Sequence, residues 1–179
     1  LGGTPDAGGQ WTAPGGANHG SIINPATDVG GSWTYTVSGV APCAAALATL
    51  TITRQIAPDA GSSTAVTLCD DDGPLDLFAA LGGTPDPGGS WTDPNGDPFG
   101  SIFDPGADDP GFYTYSLTGV PPCTTVAATV DVTVNHQPVA GVSTSTTICS
   151  DDVPFSLFAL LGPTAEVGGT WVGPGGPHP

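Results

Sequence analysis

The sequence predicts an all-β fold, built as tandem two-sheet β-sandwich repeats of about 80 residues. Three observations predict it. First, Leu1-Gly2-Gly3-Thr4-Pro5-Asp6 recurs as Leu81-Gly82-Gly83-Thr84-Pro85-Asp86, and in altered form as Leu161-Gly162-Pro163-Thr164-Ala165-Glu166, always 80 residues on. Trp11, Trp91 and Trp171 keep the same interval, as do Tyr35 with Tyr115, Cys43 with Cys123, and Cys69 with Cys149. A fixed period of this size marks a repeat architecture. Second, apolar residues alternate with polar ones in short runs, the pattern of half-buried strands. Third, the 28 Gly and 20 Pro fall between those runs, where they read as turns.

Segments rich in Pro, Gly and polar residues mark the boundaries. Ile56 to Gly61 is one and Gln137 to Gly141 another, so a complete repeat occupies 58–137. Residues 1–57 read as the back part of a preceding repeat and 138–179 as the front part of a following one. Inside 58–137, Val66 and Leu68 alternate with Thr on a first strand. Leu75 to Leu81 fits either a strand or a short helix with Pro74 in its first turn and Gly82 closing it. Gly88 to Asp93 reads as a strand ending in a turn at Asn95-Gly96, a hairpin signal. Tyr113, Tyr115 and Leu117 share one face of a later strand; Ala128, Val130, Val132 and Val134 share one face of the last. Six to eight strands in one repeat make a two-sheet sandwich. Trp11, Trp91, Trp171, Tyr35 and Tyr115 are the candidate core aromatics; a sugar-stacking role for the Trp residues is the alternative.

Charge excludes several functions. The formal net charge is -16, with 17 acidic residues against one basic side chain, Arg54. Nucleic acid is excluded as a partner, because nothing is present to neutralise phosphates. An anionic membrane surface fails for the same reason, and no apolar run reaches the ~20 residues of a spanning helix. There is no Met and no signal-peptide pattern. The natural start and any targeting signal are therefore expected outside this stretch.

Cys69, then Trp91, then Asp109-Pro110-Gly111-Phe112-Tyr113 resembles an immunoglobulin-type sandwich, in which a Trp packs in the core and a tyrosine corner bonds back to the chain. The resemblance implies a fold class of tandem Ig-like β-sandwich repeats. The preceding repeat departs from the pattern, with Val29 and Trp33 at the corner positions and no hydroxyl there. The whole unit is also similar to the tandem repeats of very large Bacteroidetes cell-surface proteins of the gliding-motility adhesin type. The resemblance rests on Cys69 with Asp71 and Asp72, Leu77-Phe78-Ala79 before Leu81-Gly82-Gly83, Gly-Gly-x-Trp, Tyr113-Thr114-Tyr115, and Pro122-Cys123 before a Thr/Val strand. It implies type IX secretion, display on the cell surface, and no catalytic residues.

Two Cys per repeat in a secreted-type chain read as one disulfide per domain. With the first strand expected to return toward the turn that holds Cys123, the favoured pair is Cys69–Cys123, leaving Cys43 and Cys149 to pair outside the stretch. Buried free thiols or a metal site are the other readings. Asp is concentrated in the complete repeat, which carries twelve and no basic residue. Acids retained between repeats, Asp71 with Asp151 and Asp72 with Asp152, are the candidate Ca²⁺ ligands, and Asp6, Asp86 and Glu166 form a further retained set. Against calcium stands a plainer reading, in which Asp favours turns by bonding its own backbone and keeps the array soluble.

His19, His136 and His178 occupy unmatched repeat positions, and no Gly-x-Ser-x-Gly elbow occurs. An enzyme is not expected. The expectation is a structural segment of an extracellular stalk or filament, contacting neighbouring repeats of its own chain. Lateral association into a multi-chain appendage is a variant, because edge strands are poorly guarded by Lys. An adhesive module whose repeats bind glycans or another cell is the alternative.

Overall fold

The computed structural model describes residues 3–178 of the chain. It is nearly all-β, with 5% helix and 33% strand in several antiparallel sheets, an arrangement compatible with a β-sandwich. Leu1, Gly2 and Pro179 lie outside the described residues. The chain divides into two compact units: residues 1–59 together with 117–126, and residues 60–116 together with 127–179.

The first unit is a four-stranded sheet in the order β2-β1-β3-β4, where β1 is Gln10–Thr12, β2 Asn18–His19, β3 Gly31–Val37 and β4 Ala46–Ile52. β3 and β4 form a long antiparallel hairpin that places Trp33 opposite Leu50 and Tyr35 opposite Ala48. Among the described residues β4 pairs through one edge, with β3.

In the second unit, β5 (Thr64–Cys69) is followed by β6 (Leu75–Asp76), the one-turn helix α1 (Leu77–Ala80), β7 (Ser90–Thr92), β8 (Pro98–Phe99), β9 (Ile102–Phe103), β10 (Gly111–Leu117) and β11 (Val126–Asn135). The main sheet runs β5-β11-β10-β7-β8, and β6 pairs separately with β9. The ambiguous Leu75 to Leu81 segment is therefore both things in turn. The helix begins after Asp76 rather than at Pro74, because the Asp76 carboxylate accepts from the Phe78 and Ala79 amides at 2.9 and 3.4 Å and so caps the turn. The Asn95-Gly96 turn joins β7 to β8; Gly96 sits at φ 90, a region that favours glycine.

Alternation decides which side chains enter the core. Ala128, Val130 and Val132 on β11 are buried, as are Tyr113 and Tyr115 on β10. Leu77, Leu81 and Phe103, from the α1 and β6–β9 layer, are buried too. Phe103 and Phe99 pack on the Tyr113 ring with centroids 5.3 and 4.8 Å apart, and Phe78 and Trp91 pack on Tyr115 at 5.4 and 5.2 Å.

β5 lies parallel to β11, with Thr64 opposite Val130 and Cys69 opposite Asn135. This overturns the basis of the expected Cys69–Cys123 bridge. A strand parallel to β11 carries Cys69 to the C-terminal end of β11, whereas Cys123 sits in the turn before its N-terminal end. The ten residues of β11 separate the two by roughly 33 Å at ~3.3 Å per residue, and a disulfide needs Cα atoms within ~7 Å. All four cysteines are free thiols, Cys43 and Cys149 among the exposed residues.

Residues 138–178 end the second unit. They contain a 3-10 turn at Phe158–Leu161 and a hairpin of β12 (Trp171–Gly173) and β13 (Gly176–His178). The stretch equivalent to β5, 144–149, forms no strand.

Candidate functional site

Two tyrosines explain much of the retained sequence. The Tyr115 hydroxyl accepts from the Gly89 amide at 2.8 Å and donates to the Asp86 carbonyl at 2.7 Å. Tyr35 repeats both bonds, from the Gly9 amide at 2.9 Å and to the Asp6 carbonyl at 2.8 Å. Gly9 and Gly89 must lack a side chain, since a Cβ there would lie 2.4 Å from the Tyr35 ring and 2.6 Å from the Tyr115 ring. The retained Asp6 and Asp86 thus serve these contacts through their carbonyls.

The corner position is served twice by different chemistry. Tyr113 donates to the Asp109 carbonyl at 2.7 Å. In the first unit the Trp33 indole N–H donates to the Val29 carbonyl at 3.3 Å, so an indole replaces the missing hydroxyl. Burial, aided by Asp108, Asp93 and Asp109, pushes the Tyr113 phenol up to about 12. Trp33 and Trp91 are buried, Trp11 and Tyr35 half-buried, and Trp171 is 38% exposed.

The turn acids bond their own backbone. Asp72 accepts from the Cys69 amide and Asp152 from the Cys149 amide, both at 2.8 Å. Asp93 accepts from the Asn95 and Asp97 amides, and Asp104 and Asp108 close a similar turn. Asp71 and Asp151 are exposed. Among the described residues no three His, Cys, Asp or Glu side chains come together in an arrangement that could hold a metal ion, so Asp71, Asp72, Asp151 and Asp152 do not converge on one.

One polar cluster was not visible in the sequence. His136, just beyond β11, meets Asp70 through Nδ1 at 2.5 Å and Glu166 through Nε2 at 2.6 Å. Asp70 also accepts from the Gln137 amide at 2.8 Å, and the Glu166 amide donates to the Val139 carbonyl at 2.9 Å. The histidine therefore clasps the end of the complete repeat to the segment that follows. Its pKa is raised by the Glu166 and Asp70 carboxylates, while the Gln137 amide and then His136 lower that of Asp70. The period could not disclose this contact, because 80 residues earlier the matching positions hold Ile56 and Asp86. His19 makes its own contact with Asp28, at 3.3 Å. No nucleophile–base pair is assembled at any of these places.

The remaining site is an unfilled one. In the first unit a small cavity of ≈ 50 Å³ is lined by Trp11, Ser21, Ile23, Trp33, Leu50 and Ile52. In the complete repeat Leu77 is buried, and its amide donates at 2.8 Å to the carbonyl of Ser101, the counterpart of Ser21. No helix among the described residues is long and apolar enough to cross a membrane.

No protein-family model matches the chain, and no curated protein matches it.

Proposed function

We propose that this chain is a structural segment of a long extracellular surface stalk or filament, made of tandem Ig-like β-sandwich repeats of the Bacteroidetes adhesin type. The observation that carries the reading is the 80-residue repeat combined with a direct clasp between successive segments. His136 ties the end of one repeat to the next through Asp70 and Glu166, which stiffens a joint otherwise made by a short linker. Solenoid-like arrays gain their mechanical properties from such nearest-neighbour contacts. Parallel pairing of the first and last strands, the tyrosine corner and the core Trp91 favour the Ig-like assignment.

The retained residues are spent on packing and turns rather than on a shared surface pocket, which favours a shaft over an adhesive repeat that binds glycans directly. The acidic surface keeps such an array soluble. The test is protease shaving of intact cells, with antibody against the complete repeat. Labelled fibres lost on shaving support the reading; label retained inside the cell sinks it.

A further inference from the structure

We infer that the joint after the complete repeat is a proton-operated latch: His136 holds Asp70 and Glu166 together as an imidazolium and releases one of them when it loses a proton. The inference rests on the stalk reading and adds regulation to it, making the stiffness of this joint follow the pH of the medium.

The geometry requires the proton. Nδ1 lies 2.5 Å from an Asp70 carboxylate oxygen, and Nε2 lies 2.6 Å from one of Glu166. A neutral imidazole carries one N–H and one bare nitrogen, so it can donate to only one of the two acids. The other contact would then set a nitrogen lone pair against a carboxylate oxygen. An imidazolium donates through both nitrogens, and both bonds are then charge-assisted. The ring therefore bridges the two acids only in its charged form.

The three side chains come from three places on the chain. Asp70 is in the turn after β5, His136 follows β11, and Glu166 belongs to the segment beyond the linker. Backbone bonds anchor both sides of the bridge. The Gln137 amide donates to Asp70 at 2.8 Å, and the Glu166 amide donates to the Val139 carbonyl at 2.9 Å. Pro138, between those anchors, has a fixed φ. All three side chains reach solvent, so the ring exchanges protons with the medium. The surroundings are acidic. Asp71 and Asp72 follow Asp70 in the same turn, Asp72 bonded to the Cys69 amide, and Cys69 lies opposite Asn135 at the end of the strand pair. Arg54, the chain's one Lys or Arg, belongs to the other unit. Neighbouring acids favour the charged ring.

Glu166 and Asp70 raise the pKa of His136 above 6.5, and the Gln137 amide and His136 lower that of Asp70 below 3.8. The histidine's contribution is therefore complete below 6.5 and is lost as pH rises through its higher, bridged value. The contribution of Asp70 is complete above 3.8 and is lost as pH falls through its lowered value. One proton governs the alkaline limb, so the closed-to-open ratio falls at most about tenfold per pH unit there. The joint before the complete repeat is built differently. The residue 80 positions before His136 is Ile56, which has no proton to lose. Response to pH through this position thus belongs to one joint and not to every repeat.

The test is NMR of the full 179-residue chain, titrated from acid to alkaline pH. Two readouts are followed: the imidazole nitrogen shifts of His136, and the exchange protection of the Glu166 amide after correction for intrinsic exchange. The expected result is a doubly protonated His136 ring that titrates above 6.5, with protection falling at most about tenfold per pH unit as it does. His136→Gln keeps a hydrogen-bonding side chain and removes the proton equilibrium, so its alkaline limb should be flat. A His136 that titrates at or below 6.5 overturns the inference, as does a wild-type protection profile without an alkaline limb. An alkaline limb that persists unchanged in His136→Gln also overturns it, since another group would then be the switch. Each of those results leaves the stalk reading standing, because a stalk needs joined repeats and not a proton-sensitive joint. Label retained inside shaved cells would sink the stalk and leave the titration unaffected.

Discussion

Replacing Tyr115 by Phe removes one oxygen and leaves the ring in place. In the folded chain that oxygen makes two bonds, with the Gly89 amide and the Asp86 carbonyl. The residue is 2% exposed, so water does not readily replace them. A net hydrogen bond contributes about 1 kcal/mol, and a stranded donor adds a desolvation cost of its own. The substitution should therefore destabilise the second unit by roughly 2–3 kcal/mol. Tyr113→Phe removes a single bond to the Asp109 carbonyl and should cost about 1 kcal/mol. Tyr35→Phe removes the same two bonds as Tyr115→Phe but from a half-buried ring, and water compensates in part, so about 1 kcal/mol is expected. Denaturant melts followed by near-ultraviolet circular dichroism read these differences as shifts in midpoint at unchanged slope. If Tyr115→Phe costs no more than Tyr113→Phe, the argument that the retained Gly-Gly and Asp turn exists to satisfy this hydroxyl is refuted.

The other expected outcomes concern backbone, protons, metal and sulfur. Gly89→Ala should destabilise by about 1–3 kcal/mol, since its Cβ would meet the Ser116 carbonyl at 2.5 Å, while Gly73→Ala, with nothing within 4 Å, should be near neutral in the same melts. The clasp should be pH-dependent. His136 is raised from 6.5, so its contribution is full below 6.5 and is lost as pH rises through its folded value; Asp70 is lowered from 3.8, so its contribution is full above 3.8 and is lost as pH falls through its folded value. Hydrogen exchange at the Gln137 and Glu166 amides should be slowest between those limits, and a pH-independent rate of opening would contradict the clasp. Chelator should leave the melting temperature unchanged, because the turn carboxylates already serve backbone amides; a fall of several degrees would make the Asp turns metal sites. A non-reduced peptide map should show no Cys69–Cys123 bridge within a chain.

Period and alternation carried a good deal of this structure. The 80-residue spacing and the runs at Tyr113 to Leu117 and Ala128 to Val134 foretell β10, β11 and their buried faces, because burial on one side of a sheet leaves a period of two in the sequence. Strand direction leaves no such trace. Val66 and Leu68 alternate in the same way beside a parallel or an antiparallel partner, and for that reason the place of Cys69 was misjudged. The corner bond in the first unit was hidden because an indole N–H does the work of a phenol at Trp33. The His136 clasp was hidden because it joins positions that differ from one repeat to the next.

The most direct measurement of the central claim is electron cryomicroscopy of the native protein released from the cell surface. The account predicts threads or fibres with an axial repeat of at least about 33 Å, the length of β11 at ~3.3 Å per residue, and in every repeat a strand lying parallel to the β11 equivalent. Isolated globular particles with no axial repeat, or a β4 edge left open along the fibre, would contradict it.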